Sequence, residues 1–310
     1  MASYLGQRIA VLVPVVLLVF TGVFAILHVL PGDPVQLMLA GAEAGVTTPE
    51  RIAQLRKSMG LDQPLHVQYA RFVGDAVQGD LGQSIRFQAP VHDLVATAAR
   101  QTFQLSLAGM AAALAIGIPL GVVAGLHENR WVDSLAMLVA LLGVSMPLFW
   151  LGLLLILFVS IHLQWLPAIS GDQLKGIILP AFTLGFVSAG VISRLVRASL
   201  IDALGNDYVR TAMAKGLPRG VVATKHALRN ALIPVITIAG LQFGGMLSGA
   251  VITETVFSRP GLSSLVVKAI LWHDYPLIQG AVLLTSVSYV VVNLGIDVLY
   301  AWVDPRIRYR

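Results

Sequence analysis

Uncharged apolar runs alternate with short charged stretches along this chain. The runs occupy the stretch from Ile9 up to Asp33 and residues 101–127, 134–171, 176–193, 230–253 and 275–296. A helix needs roughly 20 apolar residues to cross the hydrocarbon core of a bilayer. The pattern predicts six membrane-crossing helices. The 134–171 run has room for one kinked span with an apolar extension, or marginally for two short spans. Pro147 can kink it, because its ring removes a backbone donor and clashes with the preceding turn. The first run is too long for a signal-peptide core, and "HVLPGDP" offers no small-x-small cleavage site, so it reads as an uncleaved first span.

Between the first two runs the pattern changes. Residues 31–100 carry six basic and seven acidic side chains and hold helix signals. Thr47 with Glu50 resembles a capping box, Pro49 suits a first turn, Ile52, Leu55 and Met59 share a face, and Gly60 stops the helix. A second helix is expected from Pro64 to about Gly79, with Leu65, Tyr69, Phe72 and Ala76 on one side. These apolar faces need cover, so the segment reads as a small helical cap.

Composition agrees with the spans. The 310 residues are 56% hydrophobic and 12% charged, with a mean hydropathy of +0.80. That is about half the charge of a soluble domain. The net charge of +5 does not require nucleic acid, since basic residues collect in cytoplasmic loops of membrane proteins. The same rule decides the 134–171 run. With a single span there, both termini and the 207–229 region share one side, which then holds Arg8, Arg130, Arg194, Arg197, Arg210 and Lys215. The opposite loops after residue 100 hold Lys175, Arg259 and Lys268. Two spans would translocate the basic loop and the tail "DPRIRYR". Six spans with both ends cytoplasmic are therefore expected.

Residues 207–234, "DYVRTAMAKGLPRGVVATKHALRNALIP", are too charged for lipid, with Arg210, Lys215, Arg219, Lys225 and Arg229 beside His226. Leu204, Tyr208 and Ala212 fall at helical spacing, Lys215–Gly216 suits a helix C-terminus, and Pro218 suits the start of a second helix to about Arg229. A solvated loop would need no apolar face. A membrane-surface helix and a docking helix for another protein both fit the pattern.

The same stretch resembles the cytoplasmic coupling loop of ABC-importer permeases of the peptide/nickel subclass. Further fragments of that resemblance follow in order: "LPGDP" (30–34), "GLDQPL" (60–65), "GDLGQS" (79–84), "FSRPGL" (257–262), "HDYPLIQG" (273–280) and "VDPRIRY" (303–309). Arg210-Thr211-Ala212 stands where the general permease pattern has Glu-Ala-Ala. The resemblance implies an all-α integral membrane protein of the type I ABC importer permease fold: a first helix in 1–30, an extracytoplasmic segment in 31–100, and a five-helix core in 101–310 with coupling helices near 200–229. It also implies a non-catalytic subunit of a bacterial inner-membrane importer. Its partners would be a second permease, two ATP-binding subunits that hold ATP and Mg, and a binding protein outside. Asp207, Tyr208, Arg210, Thr211, Ala212, Lys215, Gly216, His226 and Arg229 would form the ATPase contact. Di- or oligopeptides are the implied cargo; close relatives also handle glutathione, nickel complexes and oligosaccharides.

Candidate chemistry points the same way. A P-loop needs Gly-Lys-[Ser/Thr], and none of Lys57, Lys175, Lys215, Lys225 and Lys268 follows a glycine. No H-E-x-x-H occurs, no catalytic residue is expected, and the chain is expected to bind no metal. Secondary transporters place ionisable groups within their spans; here Glu254 and Asp297 lie near span ends, where capping or interfacial anchoring explains them. A self-sufficient transporter or channel for a small polar solute is the alternative reading. Gln242, Ser145, Ser248 and Ser286 are the candidate pathway residues. The small stripe of Gly240, Gly244, Gly245 and Gly249 fits either a pathway wall or close helix packing.

Overall fold

The computed structural model describes residues 2–29, 35, 49–58, 60–169 and 174–303, and each of the six apolar runs is helical over most of its length. The helices are α1 (Ala2–Val29), α2 (Pro49–Ser58), α3 (Leu65–Val77), α4 (Val91–Leu126), α5 (Trp131–Ser145), α6 (Leu148–Leu155), α7 (Leu174–Leu204), α8 (Asp207–Ala214), α9 (Arg219–Val221), α10 (Leu228–Val256), α11 (Leu262–Leu271) and α12 (Tyr275–Val303). Two π-helical turns, Ile156–His162 and Val222–Ala227, extend α6 and join α9 to α10.

Among the described residues four helices are long and apolar enough to cross a membrane, and the α5–α6 pair makes a fifth if counted as one span. The remaining run lies in α1, whose 28 residues would reach about 42 Å at 1.5 Å per residue; its described apolar stretch is Leu12–Ala25. The pair α5–α6 is bent by 105°, far more than a kink. Met146 before the proline is extended, with ψ 130°, as the steric demand of Pro147 on its predecessor requires.

Two compact units form, one from residues 1–102 with 260–291 and one from 103–259 with 292–310. In the first unit, α2 ends before Gly60 (φ 67°) and α3 before Gly79 (φ 84°), both in the left-handed region that glycine enters freely. The cover for α3 is α1: Phe24 meets Tyr69 edge-on at 5.3 Å and Phe20 meets Phe72 at 5.8 Å. Leu65 at the start of that face stays exposed. Thr47, Met59 and the motifs at 30–34 and 304–309 lie outside the described residues, as do the side chains of Leu55 and Asp297.

The core of this unit joins residues distant in sequence. Val91, Val95 and Ala98 of α4 pack with Leu262 and Ala269 of α11 and with Leu277, Ile278 and Ala281 of α12. One carboxylate organises the loops above it. Asp274, 1% exposed, accepts from Ser84 Oγ (2.5 Å) and the Arg86 amide (3.1 Å) through Oδ2, and from the Leu277 amide (3.2 Å) through Oδ1. Ser84 Oγ in turn accepts from the Phe87 amide at 3.1 Å. The "GDLGQS" and "HDYPLIQG" fragments are thus two halves of one hydrogen-bonded junction.

Removing that acceptor strands two buried donors, Ser84 Oγ and the Leu277 amide, and the part-buried Arg86 amide. Asp274→Ala is expected to destabilise this unit by about 3 kcal/mol, since a hydrogen bond to a charged group contributes roughly 1.5–3 kcal/mol and orphaned buried donors add their desolvation cost. Asp274→Asn, which keeps one acceptor oxygen, costs less. Limited proteolysis of the detergent-solubilised chain checks this: cleavage between residues 79 and 90 must accelerate in the alanine variant, and unchanged cleavage there removes the structural role.

In the second unit α7 is central. Two thirds (67%) of its apolar window is buried within the protein, against 33%, 22% and 33% for the windows of α4, Val222–Leu247 and α12. Glycines let neighbouring backbones reach it. On α4, a Cβ at Gly117 would lie 2.9 Å from the Ala189 carbonyl and one at Gly121 2.5 Å from the Ser193 carbonyl; on α5, one at Gly143 would lie 2.7 Å from the Phe186 carbonyl. Membrane interfaces use small residues for this reason, because dispersion contacts and not water exclusion hold the helices together. Leu105, Met110, Ala181, Leu184, Ile192, Val196 and Met246 fill the spaces between. At the end of α10, Glu254 and Arg259 are both buried, 0% and 4% exposed, and the Arg259 amide donates to the Glu254 carbonyl at 2.7 Å. Glu254 is thus buried at the C-terminal end of α10, where its carbonyl takes part in closing the helix.

Candidate functional site

The charged segment after α7 forms a helix–turn–helix. Gly205 and Asn206 end α7, with the Asn206 side-chain amide donating to the Asp202 carbonyl at 2.8 Å, and α8 starts at Asp207. This break resets the helical register. Val209, 1% exposed, is the residue that α8 buries, while Tyr208 points outward at 39% exposure; the expected Leu204–Tyr208–Ala212 face is therefore corrected at its middle member. Leu204 and Ala212 do pack inward. Leu200, Ala203, Val209, Val222, Ala227 and Ala231 form the small core beneath them.

The turn is built as its composition dictates. Gly216 has φ 80° and its amide donates to the Met213 carbonyl at 2.9 Å, while Leu217 donates to Ala212 at 3.4 Å. These are the bonds of a helix end closed by a left-handed glycine. The Pro218 carbonyl then accepts from the amides of Val221 (3.0 Å) and Val222 (3.1 Å), opening the next helix. That helix does not stop near Arg229. It continues through the π turn into α10 as far as Val256, so the hairpin's second arm and the following apolar run are one rod.

The outward face collects most of the residues singled out from sequence. Asp207, Tyr208, Arg210, Thr211, Lys215, Gly216 and Arg229 are exposed, His226 is half-buried, and Ala212 belongs to the inner face. Thr211 Oγ1 is bonded within its own helix, to the Asp207 carbonyl at 2.9 Å. Arg210 and Asp207 are 3.8 Å apart with 75% and 97% of their side chains exposed, an ion pair too solvated to fix either group. Interleaved with these charges are exposed apolar side chains: Tyr208, Met213, Leu217 and Val221. Exposed apolar side chains among basic ones distinguish this face from a simply solvated loop.

The candidate pathway residues sit on α5, α10 and α12. Gln242 on α10 and Ser286 on α12 are half-buried, and Ser145 is exposed at the end of α5 beside the elbow. The side chain of Ser248 lies outside the described residues. Among the described residues, a Cβ at Gly245 or Gly249 would meet nothing within 4 Å, so this part of the stripe is open there.

One ion pair near the hairpin was missed. Asp133 in the first turn of α5 is 4% exposed and faces Arg197 of α7, with Nε to Oδ1 at 2.6 Å and Nη2 to Oδ2 at 2.7 Å. Its Oδ2 also accepts from the amide of Asn129 at 3.0 Å. The available signal was an acidic residue opening an apolar run, but nothing local names its partner 64 residues away.

With this geometry in place, comparisons extend the resemblance. Residues 117–309 match the family described as "Binding-protein-dependent transport system inner membrane component". Residues 1–106 match "Binding-prot-dependent transport system membrane comp, N-term". The chain is 44% identical over 310 residues, 100% of both chains, to the glutathione transport system permease protein GsiC of Escherichia coli (strain K12). It is equally similar, 44% over the full length of both, to the protein of that name from Salmonella typhimurium. Among solved structures, inward-facing conformations of the MetNI methionine ABC transporter share its fold. One crystal form gives a TM-score of 0.57 at 15% identity and another 0.59 at 16%, each covering 68% of this chain and 96% of the other.

Proposed function

This chain belongs to the binding-protein-dependent transport system inner-membrane components, and we propose that it forms half of a glutathione pathway and is driven through the 207–229 hairpin. As a member it is a multi-pass, non-catalytic permease subunit of an ABC importer, working with ATPase and substrate-binding partners. The finer assembly is one similar permease across a pseudo-twofold axis, two ATPases that hold ATP and Mg below, and a binding protein delivering cargo from outside. Both termini and the hairpin lie on the cytoplasmic side. The outward face of the hairpin, basic with interleaved Tyr208, Met213, Leu217 and Val221, carries this reading, because it presents on a rigid helical arm what a soluble cleft can grip. ATP binding closes the ATPases, pulls α8 and the α9–α10 rod, and switches the pathway lined by Gln242, Ser145, Ser248 and Ser286. Glutathione is the cargo supported by full-length similarity to GsiC, and it is itself a short peptide.

Uptake by proteoliposomes tests this. With the permease pair, the ATPases and the binding protein present, labelled glutathione is expected to accumulate only when ATP is supplied, and unlabelled glutathione is expected to compete better than dipeptides. Flux through this chain alone, without ATP, refutes the borrowed-motor account. Competition by dipeptides and not by glutathione refutes the cargo.

A further inference from the structure

Asp133 ties together three elements with one carboxylate. Arg197 on α7 grips both of its oxygens, at 2.6 and 2.7 Å, and Asn129 in the α4–α5 turn donates to Oδ2 at 3.0 Å. Asn129 itself sits at φ 58°, so the turn is shaped to bring its amide to that oxygen. Two-point contact fixes orientation as well as distance, which a lysine in place of Arg197 could not do.

The position of the pair matters. Arg197 lies one helical turn before Leu200, which is 1% exposed and anchors the hydrophobic cluster beneath α8. Gly125 of α4 approaches the Arg197 carbonyl, 3.4 Å from an added Cβ, and the Leu200 side chain at 3.1 Å. Above this level α5 and α7 pack closely: a Cβ added at Gly143 would lie 2.7 Å from the Phe186 carbonyl, and one added at Gly190 would lie closer still to the Ala140 carbonyl. At the far end of α5 the chain turns through 105° into α6. The pair is therefore the last clamp on α5 before the hairpin, and the α5–α6 elbow is the first place beyond it where a load on α5 meets a break in the helix.

We propose that Asp133 and Arg197 are a positioning pair for transport, clamping α5 to α7 so that displacement of the hairpin is carried to the α5–α6 elbow instead of being lost as sliding between the two helices. Coupling of this kind travels through packed and hydrogen-bonded contacts. The proposal rests on the importer reading above and adds a route from the hairpin to the elbow.

The test uses the complete importer in proteoliposomes and measures ATP hydrolysed per glutathione imported. Arg197→Lys keeps the charge and loses the two-point grip; Asp133→Asn keeps size and loses the charge. The expected result in both is hydrolysis that persists while uptake falls, raising the ratio at least about fivefold, the lower end of typical coupling between sites. The exchange Asp133→Arg with Arg197→Asp is expected to bring the ratio back toward wild type. If Asp133→Asn does not accumulate in the membrane, Arg197→Lys carries the measurement alone. A ratio unchanged from wild type, with hydrolysis and uptake falling together or not at all, overturns the proposal and leaves a purely structural pair. Failure of the importer reading is distinguishable, because the wild-type assembly would then show no ATP-dependent uptake.

Discussion

A leucine at Gly121 is expected to leave almost no folded protein in the membrane. An alanine Cβ there would already lie 2.5 Å from the Ser193 carbonyl and 2.6 Å from the Val196 Cβ. Neither neighbour is the loose end of a side chain. Both belong to the central helix α7, so relief requires the α4 and α7 backbones to separate, and that would loosen the contacts at Gly117 and Gly125 as well. The cost exceeds the ~1–3 kcal/mol typical of one extra core methylene, set against a net stability on the order of 5–15 kcal/mol for a folded protein. Gly121→Ala is expected to show a smaller loss. Gly22→Leu is the matched control, since Gly22 is exposed on α1 and a Cβ there meets nothing within 4 Å. The yield of monodisperse protein after mild detergent extraction, with the thermal midpoint of what survives, decides the matter. A wild-type midpoint for Gly121→Leu would mean that α4 and α7 do not pack backbone to backbone at this level.

Much of this architecture was legible because it is local. Six uncharged runs mark where backbone must be helical in lipid, and the starts and stops follow from single residues: Pro49, Pro64 and Pro218 open helices, while Gly60, Gly79 and Gly216 close them at positive φ. Pro147 marked a weak point but not its size, since a proline sets the conformation of Met146 without setting how the two arms pack afterwards. What stayed hidden depends on distant pairing. Ser84 and Asp274 are 190 residues apart and were visible only as two unrelated motifs. Asp133 and Arg197 looked like ordinary charges flanking spans. The outward turn of Tyr208 depends on the Gly205–Asn206 break, which shifts register by a fraction of a turn and exchanges Tyr208 for Val209 on the buried side. Continuation of α9 into α10 was missed because Arg219, Lys225 and Arg229 excluded a lipid span, although charge does not exclude helix.

Reversing the charge at Arg210, or placing tryptophan at Gly216, is expected to abolish import while the protein stays in the membrane. Neither position packs a side chain against the rest of the fold. Arg210 is exposed, and its pair with Asp207 spans 3.8 Å in solvent, so Arg210→Glu adds a like-charge pair at i, i+3 costing about 0.2–0.5 kcal/mol. Gly216 is equally open, with nothing within 4 Å of an added Cβ. Its φ of 80° costs a non-glycine residue roughly 1–2 kcal/mol, which is affordable for the hairpin as a whole. Any large loss of import must then arise where a partner meets this face. A tenfold fall corresponds to about 1.4 kcal/mol of docking free energy, and more is expected from inserting a bulky ring or reversing a basic charge. Gly216→Ala separates the two effects, because it carries the backbone strain without the bulk and is expected to retain most of the import. The measurement is ATP-dependent uptake normalised to permease in the membrane fraction. Wild-type uptake by both Arg210→Glu and Gly216→Trp would mean that the ATPases grip this permease somewhere other than the outer face of α8 and its glycine turn.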